Sequence, residues 1–381
     1  MKHLNTALTW LCLVALAIVV SPLAALAQSA GDHVGFIGGA IGFGLSTVGT
    51  TLPTLSDLAK RMDPDNRIAT IIEILTDTNE ILMDMGWQEG NLPTGHKTTV
   101  RSGLPSVTWR LLNYGVQPSK SRTVPVTDEC GMLEAYAEVD KALADLNGNT
   151  AEFRLSEDIA FLEAMNQELA TKVFYGTKET PESFVGLAPR YAAHTGADGT
   201  SAFNTIHGGG SSDTNTSIWL CVWGTNTMHG IYPKGSQAGL QHNDLGEDTL
   251  TDANGGRFQG YRTHYKWDAG LTLRDWRYAV RICNIDVEDL LTFGSGSDTS
   301  ANLIRLLIQA VNKIPNLGMG RPAIYVNRTI QTWLEIQAAE KPNVQLGFKD
   351  FGGEKVLAFR GIPIRRCDAI LDTEADVPAA A

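Results

Sequence analysis

The sequence predicts an α+β fold, and three observations support this prediction. Asp63 followed by proline is a typical helix start, and apolar residues at helical spacing continue from there to Gly86. Residues 92–127 hold several prolines and short alternating runs, which are typical of a β-hairpin. Ser156 then begins a longer helical stripe that ends at Gly176, and short apolar strands and helices alternate with glycine-rich segments after it.

The composition excludes several classes of protein. The 381 residues include 43% hydrophobic and 19% charged residues, which is too apolar and too weakly charged for a disordered chain. Lys and Arg number 31 against 42 Asp and Glu, for a formal net charge of −11. This acidic balance argues against a nucleic-acid binder that neutralises phosphates. The 38 glycines indicate many turns and long loops.

Residues 1–27 have the features of a secretory signal. Lys2 supplies a positive start, Trp10–Val20 is an unbroken apolar run, and Ala25–Ala27 is a small-x-small cleavage site. This leader alone predicts export. Three explanations stay open: a cleaved leader, a membrane-directed extension, or an upstream start assignment with translation beginning near Val48.

The hairpin region is predicted to need a partner surface. Its strands are expected at Lys97–Arg101, Ser106–Leu112 and Arg122–Thr127, around a polar tip at residues 113–121. The segment has too few apolar residues for a core of its own, and an isolated hairpin is only marginally stable. We therefore expect it to lie against another part of the chain or against a neighbouring molecule.

Two helices are predicted after the hairpin. Leu133–Leu146 has apolar residues at helical spacing, and the helix that Ser156 caps is the strongest of the chain. The predicted buried stripe of the second helix consists of Ile159, Leu162, Met165, Leu169 and Val173. A long helix with one apolar face typically packs across a sheet.

The second half of the chain alternates between loops, strands and helices. Residues 195–217 and 240–260 are predicted as glycine-rich loops, and Trp276–Ile282 as a half-buried strand with a charged outer face. The other predicted elements are the strands Ile218–Trp223, Ala323–Val326, Val356–Phe359 and Ile362–Ile364, the helix Leu303–Ile314 and a helix capped by Asn327.

No motif in the sequence predicts a catalytic, cofactor-binding or metal site. Asp145–Asn149 begins like a calcium loop, but Thr150 and Ser156 stand where that loop needs Gly and Glu, so a turn is expected. His242, Asn243, Asp244 and Asp248 are possible ligands, yet no histidine of the chain has short ligand spacing to another. Cys130, Cys221, Cys283 and Cys367 are far apart and are predicted to be buried, reduced thiols. The chain is accordingly predicted not to be an enzyme.

Four strings in fixed order carry a resemblance to a known family. They are Leu92–His96 (LPTGH), Asp140–Gly148 (DKALADLNG), Gly186–Tyr191 (GLAPRY) and Phe359–Ile364 (FRGIPI). Together they resemble the tailed-bacteriophage major capsid proteins of the Hong Kong ninety-seven type fold, from about Val48 to about Ala375. Residues 1–47 have no counterpart in that resemblance.

The resemblance implies a division of the chain into parts with distinct roles. The implied parts are a leader (1–47), an N-terminal arm with a helix (48–91), an extended β-hairpin loop (92–130), a peripheral domain with a long spine helix (131–185 and 266–300), an axial α/β domain (186–265 and 301–375) and a tail (376–381).

The resemblance also implies a function. It predicts a structural protein that self-assembles, as hexamers and pentamers, into the icosahedral shell of the phage head. Portal and scaffolding proteins are expected partners. Double-stranded DNA is expected to be enclosed without specific binding, and no cofactor or stable membrane partner is expected. The implied location is the virion, assembled in the cytoplasm of the bacterial host.

Two alternatives stay open at this point. An exported envelope-associated protein or hydrolase would use His194, His207 or His242 with acidic partners in a cleft. An encapsulin-like compartment shell would share the fold of a phage shell.

Overall fold

The computed structural model describes residues 52–53, 78–148, 150–252, 254–293, 299–340, 346–351 and 354–380. The chain divides into two compact units, residues 1–53 with 250–258 and residues 54–249 with 259–381. In the smaller unit, the Asp252 carboxylate closes a turn by accepting the N–H of Gly256 at 2.7 Å. The predicted leader and residues 63–77 of the first predicted helix lie outside the described residues. The account below concerns the larger unit.

Strands make up most of the described regular structure. The strands are β1 (Trp87–Glu89), β2 (Gly95–Gly103), β3 (Arg122–Asp140), β4 (Thr205–His207), β5 (Asn215–Trp223), β6 (Met228–Tyr232), β7 (Gln241–Thr251), β8 (Arg257–Leu273), β9 (Ala279–Asp286), β10 (Arg321–Val326), β11 (Leu346–Phe351), β12 (Glu354–Phe359) and β13 (Ile362–Arg366). The helices are α1 (Ile81–Asp84), α2 (Lys141–Ala144), α3 (Thr150–Tyr175), α4 (Val287–Leu290), α5 (Leu303–Lys313) and α6 (Arg328–Glu340).

The strands form one mixed sheet with side branches. Its main path runs β11-β12-β13-β10-β5-β6-β8-β3-β2, while β1 pairs with β6, β7 with β8, and β9 with both β4 and β5. Parallel pairs such as β10–β13 stand beside antiparallel pairs such as β10–β5. This mixed sheet with helices packed on it confirms the predicted α+β class.

The centre of the core is β5, which is buried along its whole length of nine residues. Leu220 faces a cluster that includes Leu307 of α5 and Ile330 of α6. Trp219 faces the other way, into a cluster with Phe174 of α3. Both faces of the strand are therefore covered by helices, which explains why Ile218–Trp223 is a continuous apolar run.

The long helix is confirmed, but its start and its buried face differ from the prediction. It begins at Thr150, so Ser156 lies inside it, where the Ser156 hydroxyl donates to the carbonyl of Phe153 at 2.8 Å. Met165, Leu169 and Val173 are buried as expected. Ile159 and Leu162 are 42% and 37% exposed, because Phe153 supplies the apolar contact of the first turns, with Val139 and Ala144.

The helix predicted at Leu133–Leu146 is wrong. Residues up to Asp140 belong to β3, and only α2 follows as a single helical turn. Cys130–Asp140 pairs residue by residue with Gly260–Gly270 of β8. This distant partner strand supplies the main-chain hydrogen bonds, so tertiary pairing overrides the local helical spacing.

Four further expectations differ from the structure. Residues 240–260, predicted as a loop, are mostly the hairpin of β7 and β8, and the loop predicted at residues 195–217 contains β4. Ser106–Leu112 forms no strand. Trp276–Ile282 begins as a 3-10 turn and continues as the buried strand β9. Arg281 of this strand is buried and forms an ion pair with Glu374, near the end of the chain.

The first predicted helix is confirmed only in part: among its described residues only α1 is helical, and Asn79 before it forms a β-bridge with Cys367. The remaining predicted elements are confirmed. Asn327 caps α6 by accepting the N–H of Ile330 at 2.8 Å. The confirmed strands and helix are Lys97–Arg101 within β2, Arg122–Thr127 within β3, Leu303–Ile314 as α5, and Ala323–Val326, Val356–Phe359 and Ile362–Ile364 within β10, β12 and β13.

Candidate assembly interface

A two-stranded ribbon of the larger unit is exposed along much of its length. We define the ribbon as β2 together with residues 122–129 of β3, and the tip as residues 104–121, which join the two strands. The strands are antiparallel, with Val100 opposite Val124, and the register shifts between Arg101 and Gly103. A bulge of this kind increases the local twist where the ribbon meets the tip.

One continuous strand runs from the ribbon into the body sheet. The 19 residues of β3 first pair with β2 and then, from Cys130 to Asp140, with β8. At about 3.3 Å per residue, such a strand is roughly 60 Å long. The ribbon is therefore a direct extension of the body sheet rather than a loop attached to it.

The tip exposes large apolar side chains. Trp109 is fully exposed, and Val107 and Leu112 are 88% and 82% exposed. The other exposed apolar residues of the tip are Leu104, Leu111, Tyr114 and Val116. Burying a large apolar side chain stabilises by about 1.5–3 kcal/mol, so this concentration of exposed apolar residues indicates a contact surface.

The ribbon and tip are also strongly basic. Residues 97–122 contain five basic residues and no acidic residue, in a chain with a net charge of −11. The basic residues are Lys97, Arg101, Arg110, Lys120 and Arg122. The segment is therefore suited to a surface that is both apolar and acidic.

The root of the ribbon, where β2 meets the body, is tightly packed. Gly95 pairs with Glu129, and a Cβ atom at Gly95 would lie 2.1 Å from the carbonyl oxygen of Asp128. His96, the next residue, lies opposite Asp128. Only glycine permits this approach of the two backbones.

Charged and polar side chains surround this root. The buried Asp128 carboxylate accepts a hydrogen bond from the Thr272 hydroxyl and pairs with Arg190 at 2.9 Å. The Arg274 guanidinium lies 3.0 Å from Nε2 of His96. Ribbon and body are thus joined by a polar cluster that draws on β2, β3, β8 and the 3-10 turn at Ala188–Tyr191.

His229 of β6 completes the cluster. Its ring is 1% exposed and lies edge-on to His96, with ring centroids 6.1 Å apart. Burial, with Arg274 nearby, lowers the pKa of His229 to about 4 and lowers the pKa of His96 as well. Both rings are therefore uncharged at neutral pH.

Of the three histidines considered for a hydrolase, two lie close together and the third lies elsewhere. The His194 and His207 rings lie 4.4 Å apart, and burial together with His207 lowers the pKa of His194. Nδ1 of His194 lies 2.6 Å from the hydroxyl of Thr195. His242 instead lies beside Tyr265, with ring centroids 5.2 Å apart.

The possible ligands near His242 are engaged in ion pairs. Asp244 pairs with Arg154 and Asp248 with Arg262, each at 2.6 Å. Asp145 accepts the hydroxyl of Thr150 at 2.8 Å. In the part of the chain that the structure describes, no three His, Cys, Asp or Glu side chains are arranged to hold a metal ion.

The described cysteines form no disulfide. Cys221, Cys283 and Cys367 are buried and Cys130 is partly buried. Burial raises the pKa of Cys130, Cys283 and Cys367 to about 12. Among the described residues, moreover, no helix combines the length and the apolar character needed to cross a bilayer.

Together these features define a class of protein: an α+β protein that extends a basic ribbon with an exposed apolar tip from its body sheet. The family model for major capsid protein GP7 matches residues 63–378. The chain belongs to this family. It is a structural protein of the phage capsid shell and a component of the virion.

A solved structure at 40% sequence identity supports this assignment. The chain is 40% identical to a protein of bacteriophage epsilon15, with a TM-score of 0.70, over 88% of this chain and 100% of that chain. The capsid of bacteriophage JBD30 aligns at 10% identity and a TM-score of 0.43, over 78% of this chain and 92% of that chain. The capsid of a native GTA particle aligns at 10% identity and a TM-score of 0.41, over 59% and 95%.

No curated protein sequence matches the chain. The family assignment favours a phage shell over an exported hydrolase and over an encapsulin-like compartment.

The sequence also contained a signal that was not used in predicting the interface. The run of five basic residues without an acidic one across residues 97–122 can be counted directly. The polar cluster at the root could not be found that way, because its members come from four separate strands and a 3-10 turn.

Proposed function

We propose that copies of this chain build the shell as hexamers and pentamers in which the tip of each copy lies on a neighbouring copy. The observation that carries this proposal is the exposure of Trp109, Val107 and Leu112 on a ribbon that extends from the body. The tip has little to hold it in its own chain. One of its few internal contacts is the hydrogen bond from the Ser119 hydroxyl to the carbonyl of Ser106, at 2.7 Å.

Both the apolar and the charged character of the tip support a second copy as its partner. Several large side chains that lose water together supply a contact energy of several kcal/mol. Outside the ribbon, the chain is strongly acidic, because the net charge of −11 includes the five basic residues of residues 97–122. Each copy therefore offers the charge that the tip of another copy lacks.

The shell encloses double-stranded DNA without specific binding and works with portal and scaffolding proteins. The acidic chain supports this role, because a strongly basic inner wall would hold the genome by releasing its counterions. The chain acts without catalysis. The division into a peripheral domain (131–185 and 266–300) and an axial domain (186–265 and 301–375) belongs to the same proposal.

Assembly of tip variants tests this function. The triple variant Leu104→Ser, Trp109→Ser, Leu112→Ser removes apolar contacts between copies and no buried contact within the chain. We expect the parent protein to form shells visible by negative-stain microscopy, and the variant to sediment as small species with unchanged far-UV circular dichroism.

Met83→Ser is the matched control. Met83 is 85% exposed and lies on α1, outside the ribbon. We expect this control to form shells like the parent. Normal shells from the triple variant would show that the tip does not hold copies together, and loss of shells in the control would show that the assay only reports surface hydrophobicity.

A further inference from the structure

The root of the ribbon buries two histidines with nitrogen atoms that have no hydrogen-bond partner. These are Nδ1 of His96 and both ring nitrogens of His229, and the Nε atom of Arg274 beside them is unpartnered as well. The Gly224 backbone near His229 makes no well-formed hydrogen bond with the ring; it favours the charged form, but burial outweighs it. His229 is 1% and His96 8% exposed. Such groups are costly to bury, so their concentration at one joint needs an explanation.

The joint lies where β3, which is paired with the body sheet, meets the start of β2, which is not. In β3, Cys130–Asp140 pairs with β8 of the body sheet. The strand partner of β2 is β3 of the ribbon. The start of β2 is held to the body through the His96 cluster and through nearby main-chain bonds, such as Cys130 N–H to the Thr94 carbonyl at 2.9 Å.

We propose that His96 and His229 form a pH-sensitive joint, at which proton uptake from solvent releases the start of β2 from the body. Each ring gains one proton and one positive charge; release breaks hydrogen bonds at the root, such as that between Arg274 and His96, and no other covalent bond is made or broken. The proposal goes beyond the proposed shell function, because the joint acts within one copy. Its consequence for the shell is that acid changes how the ribbon is presented to a neighbour.

The charges around the two rings make it unfavourable to add two further positive charges. The charged groups that face the two rings are Arg274, which follows β8, and Asp128 of β3. Asp128 is already paired with Arg190, so one carboxylate faces two guanidinium groups. Protonation of both rings would place four positive charges around that single carboxylate, at a site with little water.

The direction of the pH effect follows from the lowered pKa. We call the joint seated when the start of β2 is bound to the body. In the seated joint the pKa of His229 is about 4, against an ordinary value of 6.5 once the ring is hydrated. The seated joint is fully favoured above pH 6.5, and it loses stability as the pH falls from 6.5 toward 4. At pH 5, His229 alone shifts the balance toward release by roughly 30-fold.

Hydrogen exchange of the full-length protein tests the joint. Protection of residues 95–103 and 122–129 is compared at pH 7.5 and pH 5 after correction for intrinsic exchange, with β5 as the internal reference. In the parent we expect protection of the ribbon to fall by at least tenfold while β5 changes little. In His96→Gln/His229→Gln we expect the two pH values to differ by less than twofold.

His264→Gln is the matched control. His264 lies on β8 away from the root, where Nε2 is 3.4 Å from a carboxylate oxygen of Glu134. This variant should retain the parent's fall in protection. Arg274→Gln provides a second test that keeps both histidines: with the neighbouring charge gone, the fall should be smaller than in the parent.

Two results would overturn the joint. One is equal protection of the ribbon at both pH values in the parent. The other is a fall in protection at pH 5 that is as large as the parent's in both Arg274→Gln and the double histidine variant. Exchange is measured within each copy, so these outcomes are independent of shell formation. Failure of the tip variants to change assembly would count against the proposed shell contacts and leave this test intact.

Discussion

Arg281 and Glu374 form a buried ion pair, with Nη2 of the arginine 2.8 Å from Oε2 of the glutamate and both side chains 5% exposed or less. Arg281 lies on β9, and Glu374 lies in the segment that follows β13. The pair is fully hydrogen-bonded: Arg281 also donates to Ser217 and to the Tyr191 carbonyl, each at 3.1 Å, and Glu374 accepts the hydroxyls of Tyr175 and Ser217. The end of the chain is therefore tied to the centre of the sheet.

Removing one partner of this pair should be strongly destabilising. Glu374→Gln leaves the Arg281 charge buried without its counter-ion, and we expect the free energy of unfolding to fall by about 3–5 kcal/mol. Urea denaturation followed by tryptophan fluorescence measures the loss. The double variant Arg281→Met/Glu374→Leu should lose less than Glu374→Gln alone, and a larger loss would contradict the reasoning.

Asn284 clamps the same terminal segment. Its side chain donates to the Asp376 carboxylate at 2.6 Å and accepts the Val377 N–H at 2.9 Å, while its own backbone φ is +56°. We expect Asn284→Ala to cost about 2–3 kcal/mol, because it removes buried hydrogen bonds and leaves a Cβ residue in the left-handed region. Limited proteolysis should then cut within residues 374–380, and resistance equal to the parent's would contradict this role.

The glycine at the root of the ribbon offers a stereochemical test. In Gly95→Ala the new Cβ would meet the Asp128 carbonyl oxygen at 2.1 Å, so β2 and β3 must separate there. We expect a loss of about 1–3 kcal/mol in unfolding free energy and poor shell formation.

Gly103→Ala serves as the comparison, since its nearest new contact is 3.6 Å away on the Arg122 side chain. This variant should retain the parent's stability within about 0.5 kcal/mol. Equal losses in the two alanine variants would show that close backbone approach at Gly95 is not the cause.

The buried thiols should be nearly inert. Burial raises the pKa of Cys283 and Cys367 to about 12, so at pH 8 the thiolate fraction is on the order of 10⁻⁴. We expect a thiol-specific disulfide reagent to label them at least 10²-fold more slowly in the native protein than in urea. Rapid native labelling, located by peptide mass mapping, would show that these sites open to solvent.

The sequence predicted those elements whose signal is local. A capping residue, Asn327, marks the start of α6. Alternating residues mark the two strands of the ribbon, at Lys97–Arg101 and Arg122–Thr127, and both signals can be read from a few neighbouring residues. The inner half of β3 could not be predicted this way. Its strand state depends on Gly260–Gly270, which lies more than a hundred residues away and was not itself predicted as a strand.

The candidate interface was predicted in position but not in character. Residues 113–121 were expected to form a polar tip, whereas the structure shows Tyr114 and Val116 exposed there. Arg281 illustrates the opposite error. Alternation placed it on a charged outer face, and only the return of Glu374 from the end of the chain makes its burial favourable.

The continuity of β3 has a mechanical consequence. A paired strand is stiff along its length, so bending the outer half relative to the inner half would require breaking main-chain hydrogen bonds around Glu129 and Cys130. Adjustments between copies that meet at different angles must then be taken up where pairing is already interrupted, at the irregularity between Arg101 and Gly103 and in the unpaired stretch beyond it. In the proposed shell, the paired strands of each copy would therefore keep their direction, and the unpaired tip would adapt to differences in curvature between neighbouring copies.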